Sequence, residues 1–266
     1  GSAAIAIRIG VLIGAVVIFI SNSSEARDGL RTLLAGPVED GMLGIGRVLY
    51  YAVPIIMTGL SVGFAFKTGL FNIGTPGQFI IGAFAAVYVG VKWTFLPGSI
   101  HWLVAILAAF AAGGLWAVIP GVMKAYLNVN EVISSIMMNY IGMYLVNYSV
   151  SLVLFDALRN QSLPVATTAV IPKMGFDKIF TGSPANGGFV IAILFVILIY
   201  IILNKTSFGY EMKACGFNKD ASKYAGINEK RNIILSMVIA GALAGVGGGL
   251  LYLSGSGKFI EVVDVL

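Results

Sequence analysis

In the stretch Val190-Ile-Ala-Ile-Leu-Phe-Val-Ile-Leu-Ile-Tyr-Ile-Ile-Leu203, apolar residues run right round a helix instead of forming a single 3.6-residue stripe. No face of such a helix is fit to meet water, so it faces lipid or other spans. The whole chain agrees. Of its 266 residues 58% are hydrophobic and 11% charged, where a soluble domain carries about 25% charged residues.

Crossing a hydrocarbon layer of about 30 Å takes roughly 20 residues of helix. Seven apolar stretches stand out: Ala3 to Ile20, Val48 to Phe66, Gln78 to Val91, Trp102 to Ile119, Val132 to Phe155, Phe189 to Leu203 and Ile233 to Leu253. The third and sixth are short, as discontinuous or re-entrant helices are. The pattern predicts an all-α, polytopic transmembrane helical bundle of about seven spans, one domain over residues 1–266.

The connections differ in character. Residues 21–47 mix Glu25, Arg27, Asp28, Arg31, Glu39 and Asp40, with room for a short amphipathic helix. Residues 156–188 carry Pro164, Pro172 and Pro184 and read as an irregular loop. Residues 204–231 hold Lys205, Lys213, Lys219, Lys223, Lys230 and Arg231 against Glu211, Asp220 and Glu229. The positive-inside rule puts this last loop in the cytoplasm, and counting spans back puts the first two outside.

Composition also excludes. The net charge is +5, but the 17 Lys and Arg are not interleaved with aromatics in a nucleic-acid groove. One cysteine, Cys215, and one histidine, His101, leave no disulfide, no multi-cysteine metal site and no clustered catalytic set, which argues against an enzyme. Ser254-Gly-Ser-Gly-Lys258 looks phosphate-binding, but Tyr252 and Phe259 stand where a P-loop needs Gly and Ser or Thr. ATP binding is not expected in this chain. Gly241, Gly245 and Gly249 recur every four residues, the small-residue pattern of close helix packing.

Three segments carry functional signals. Gly69-Leu-Phe-Asn-Ile-Gly-Thr-Pro-Gly-Gln78 sets Asn72, Gln78, Pro76 and three glycines between apolar runs. Pro76 removes a backbone donor, while Gly74 and Gly77 permit unusual backbone angles in the segment that Gly69 opens. The expectation is a broken helix whose amides, with Asn72 and Gln78, form part of a translocation pathway; an ordinary turn at the membrane surface is the competing reading.

In the second segment, Asn128 to Asn147, Asn130 is placed to cap a helix, with Glu131 at its positive end. Glu131, Ser135 and Asn139 then recur at i, i+4 and i+8 as one polar stripe, expected to be a pathway wall offering mainly neutral groups, Asn139 above all. Hydrogen bonding between helices is the alternative, and the stronger one for Ser134 and Ser135. In the third, Glu211 to Ile227, residues 214–224 are expected to form one short surface helix with Ala221, Tyr224 and Ala225 on its apolar face, ended by Gly226. Such a helix suits a partner's groove, or else an anionic lipid surface.

At these segments the chain resembles a known family. Gly59 to Gln78, Asn130 to Tyr140 and Ala214 to Ile227 are similar to the inner-membrane permeases of ABC importers related to branched-chain amino acid and ribose permeases, and above all to the nucleoside importer branch. The resemblance implies a plasma-membrane importer subunit for nucleosides or related polar solutes. It implies a separate ATPase that holds ATP and Mg, a second permease subunit, like or unlike, and an external binding lipoprotein. On this likeness Gly216, Asn218, Ala221, Tyr224 and Gly226 match a cytoplasmic coupling motif that docks on the ATPase. Pro76 departs from the acidic or small residue expected there, and the family pattern continues into further spans beyond Leu266. Rival substrates are branched-chain amino acids or sugars. An ion-coupled transporter would instead require ionisable residues within its spans.

Overall fold

The computed structural model describes residues 2–21 and 25–255. In chain order it contains α1 (Ser2–Ser21), α2 (Ala26–Glu39), α3 (Met42–Lys67), α4 (Thr75–Lys92), α5 (Gly98–Leu127) and α6 (Glu131–Val153). A two-stranded antiparallel hairpin, β1 (Phe155–Asp156) and β2 (Gln161–Ser162), follows, then a 3-10 turn at Thr167–Ala169 and α7 (Phe176–Ile179). The chain continues with α8 (Gly188–Lys205), α9 (Ser207–Phe217), α10 (Lys219–Tyr224) and α11 (Glu229–Tyr252).

All seven apolar stretches are helical, and α2 is the short helix expected in the first connection. Among the described residues five helices, α3, α5, α6, α8 and α11, are long and apolar enough to cross a bilayer. The α5 helix outruns its apolar stretch, passing through the buried Pro120 to Leu127. Proline is tolerated inside membrane helices because packed neighbours re-satisfy the freed backbone groups. Residues 156–188, expected to be irregular throughout, include the small hairpin and α7. Lys258 of the phosphate-loop lookalike lies outside the described residues.

The axis of the bundle is α11, which packs on α5, α4 and α3. Asn228 caps it by accepting a hydrogen bond from the Arg231 amide at 3.1 Å. Its glycines would weaken an isolated helix by about 1 kcal/mol each, yet here they let backbones touch. A Cβ on Gly113 of α5 would stand 2.8 Å from the Gly245 Cα, and one on Gly82 of α4 would stand 2.8 Å from the Gly245 carbonyl carbon. The small-residue periodicity thus does what its spacing implied. Around this axis, Met57, Phe64, Met237, Leu243 and Leu250 form the apolar core, while Ile55, Leu107, Leu115 and Leu194 stay exposed, as lipid-facing residues do.

The single histidine, His101, is structural. It is fully buried, with Nδ1 2.8 Å from the Thr168 hydroxyl and Nε2 3.1 Å from the Val89 carbonyl. A carbonyl only accepts, so Nε2 donates, and the ring ties the start of α5 to the end of α4.

Candidate functional site

The break expected around Pro76 lies before it. The α3 helix ends at Lys67, Thr68 to Gly74 is non-helical, and Pro76 sits in the first turn of α4, where its missing N–H costs little. Neither Gly74 nor Gly77, the glycines expected to take unusual angles, does so; the positive φ, +76°, belongs to Gly69. Gly74 is right-handed and Gly77 is helical; they matter for space. A Cβ on Gly77 would meet Asn139 Oδ1 at 2.8 Å, and one on Gly74 would meet Gln78 Nε2 at 2.9 Å.

Asn72 in the break and Gln78 in the first turn of α4 are both buried and pair their amides reciprocally. Asn72 Nδ2 donates to Gln78 Oε1 at 2.8 Å and Gln78 Nε2 donates back to Asn72 Oδ1 at 3.0 Å. Asn72 also accepts from the Gly74 amide and donates to Ser61 of α3. Asn139 comes across from α6: its Oδ1 accepts from the Gly77 amide at 2.9 Å, and its Nδ2 donates to the Ile73 carbonyl at 3.0 Å. These neutral side chains do for the broken backbone what the missing helix turns would have done.

The polar stripe of α6 therefore faces inward. Asn130 caps the helix, accepting from the Val132 amide. Glu131 pairs with Lys124 of α5 at 2.7 Å, both largely buried. The Ser135 hydroxyl is fully buried, without a hydrogen-bond partner among the described residues, and lies 3.3 Å from where a Cβ on Gly74 would stand. What the sequence reading passed over is the opposite face. Tyr140, Tyr144, Asn147, Tyr148 and Ser151 are exposed there, and the i, i+4, i+8 spacing of the tyrosines was the available signal.

The third motif is not one helix. Asn218 leaves helical geometry (φ −155°, ψ 106°), ends α9, and caps α10 by accepting from the Ala221 amide at 3.0 Å. The reason is side-chain competition: an asparagine that caps one helix cannot continue another. Gly226 follows α10 at φ +81°, where only glycine is comfortable. Ala221 is exposed and Tyr224 is 94% exposed, so neither rests on the bundle; Phe217 beside them is 90% exposed.

The first and third motifs touch. A Cβ on Gly216 would stand 2.6 Å from the Thr68 carbonyl carbon and 2.7 Å from the Gly69 nitrogen, so α9 lies backbone to backbone on the start of the break. Thr68 is hydrogen-bonded to Ser236 of α11, and Asn232 of α11 donates to the buried Cys215 of α9. No sequence spacing announced these links.

Residues 44–265 match the family described as branched-chain amino acid transport system / permease component. The chain belongs to that family. This permease is 40% identical over 246 residues to the guanosine ABC transporter permease protein NupP of Bacillus subtilis, covering 92% of this chain and 70% of the relative. It is 35% identical over 251 residues to the nucleoside ABC transporter permease protein NupB of Lactococcus lactis subsp. cremoris, covering 92% and 68%. The glucose ABC transporter permease protein TsgB13 of Haloferax volcanii is 31% identical over 223 residues, 81% of this chain and 58% of that one. No solved structure matches at a significant level. The permease is thus a transport subunit and not an enzyme, a multi-pass inner-membrane protein that works in general with ATPase and binding-protein components. The ion-coupled alternative falls with that assignment.

Proposed function

We propose that this permease imports nucleosides, taking substrate from an external binding lipoprotein and drawing energy from a separate ATPase that binds ATP and Mg. The observation that carries the substrate class is the 40% identity, over 92% of the chain, to a guanosine permease. The chemistry of the interior supports it. The charged side chain of the inward stripe, Glu131, is already paired with Lys124, which leaves no free charge on that stripe. A zwitterionic amino acid would call for free buried counter-charges, while a nucleoside would not.

In this reading residues 21–47 and 156–188 face outward and the basic loop 204–231 faces the cytoplasm. Asn218, Ala221, Tyr224 and Gly226 shape the knob that the ATPase grips, and the exposed rings of Tyr224 and Phe217 suit a groove on it. Gly216 passes the movement on: its backbone contact with Thr68 and Gly69 puts the helix break at the far end of the same lever. Two permeases, alike or unlike, enclose the pathway. The test is uptake by the co-purified assembly in proteoliposomes. ATP-dependent guanosine accumulation supports the proposal, and leucine uptake without nucleoside uptake overturns it. Sugar import is the second reading, favoured by the likeness to TsgB13, and glucose uptake in the same assay would establish it.

A further inference from the structure

The outward face of α6 has a composition that lipid does not explain. The helix is fastened on one side to α4 and, more lightly, to α5. Ser135, Met138, Gly142, Val146 and Val150 fill that inner side. About half a turn away, Tyr140 is 60% exposed, Tyr144 58% and Tyr148 65%, with Asn147 and Ser151 exposed among them. Among the described residues no hydrogen bond engages the three phenol groups or the Asn147 amide, although Ser151 donates to the Tyr148 carbonyl at 2.8 Å.

Depth makes this face unusual. Gly142 is the middle residue of the 23-residue helix. At 1.5 Å per residue, Tyr144 lies about 3 Å and Asn147 about 8 Å from that midpoint, well inside a hydrocarbon half-thickness of about 15 Å. Tyrosines facing lipid gather at the interfaces, not at mid-depth. An unpaired carboxamide in hydrocarbon costs several kcal/mol, so a face carrying one is turned to protein or to a water-filled cavity rather than to lipid. The exposed side of α8 differs in being mostly aliphatic, with Val190, Ile193, Leu194, Ile197, Leu198 and Ile201, and it carries a single exposed tyrosine, Tyr200.

We infer that Tyr140, Tyr144 and Tyr148, with Asn147 between them, form the wall of the solute pathway that stacks against a planar heteroaromatic base and hydrogen-bonds its edge. Aromatic side chains stack bases tolerantly, since every base has a π-face, and an asparagine amide offers both a donor and an acceptor. The ladder also accounts for a carrier of polar solutes that keeps its buried amides for itself. This inference rests on the nucleoside reading for its ligand; the orientation of the face does not.

Two measurements on the intact transporter in cells test it. In Asn147→Cys, a small, membrane-impermeant cationic methanethiosulfonate reagent should modify the new thiol, and guanosine should slow that modification. The native chain, whose one cysteine is buried, is the blank. Guanosine uptake should fall at least about fivefold in Tyr144→Ala, the loss of one stacked base, and stay near native in Tyr144→Phe. Both side chains are exposed, so immunodetected membrane levels should not change. An unreactive thiol in Asn147→Cys would mean that this face is buried against lipid or a second permease, and would overturn the inference, as would native guanosine uptake in Tyr144→Ala. A native transporter that moves no nucleoside would remove the substrate reading and the base-stacking role with it. The reactivity of the introduced thiol would still report separately whether the face is wet.

Discussion

Gly245→Ala probes the contact on which the whole bundle turns. A Cβ there would stand 3.0 Å from the Gly113 Cα and 3.2 Å from its nitrogen, with the Ala109 carbonyl oxygen nearer still. Carbon atoms rest at about 3.5–4.0 Å, so α5 and α11 must part by roughly half an ångström or more. The strain has no flexible side chain to absorb it, because these neighbours are backbone, and α4 closes the other side through Gly82. Overpacking of this kind costs up to about 3 kcal/mol, and the better helix propensity of alanine returns about 1 kcal/mol. The net loss of about 2 kcal/mol should lower the melting temperature of the purified permease by about 4–8 °C. Intrinsic fluorescence suffices as the assay, with three tryptophans in the chain. Gly63→Ala in α3 is the control: nothing lies within 4 Å of its Cβ position, so stability should hold or rise slightly. If Gly245→Ala melted within about 1 °C of the native protein, the close-packed axis would be refuted as a source of stability.

Asn139→Leu should destabilise the permease by about 1–3 kcal/mol, because it strands the Gly77 amide and the half-buried Ile73 carbonyl, and chemical denaturation would read the loss. Lys124→Ala and Glu131→Ala should each cost about 1–3 kcal/mol, while the charge reversal Lys124→Glu with Glu131→Lys should recover much of it; a double-mutant cycle showing no coupling would reduce the pair to a surface contact. Gly216→Pro and Tyr224→Ala should uncouple ATP hydrolysis from uptake while the chain still inserts, since Tyr224 touches nothing that holds the bundle and Gly216 sits against the break. Native transport in both variants would remove the coupling role.

How far the sequence could be read depended on the range of the interaction involved. Caps were visible because they act over three residues: Asn130 and Gly226 stand where their side-chain chemistry put them. Asn218 is the instructive miss. Its cap divides the expected helix in two, a competition between neighbours that periodicity averages away. Pro76 misled for a related reason, since a proline that breaks a helix from inside also starts one comfortably.

What the amino-acid order determined alone was the solvent. Uniformly apolar helices require a bilayer, glycines four apart require close helix contact, and a polar, glycine-rich interruption requires protein around it. Which way each helix turns was left to the tertiary structure. Glu131, Ser135 and Asn139 form a stripe in any α6, but only packing on α4 makes that stripe the structural side and turns Tyr140, Tyr144 and Asn147 outward. Helical periodicity specifies which residues share a face; it carries no information about what that face meets. The meeting of Gly69 with Gly216 is likewise a product of the folded chain, since it joins residues far apart in sequence through backbone contact that leaves no pattern to read.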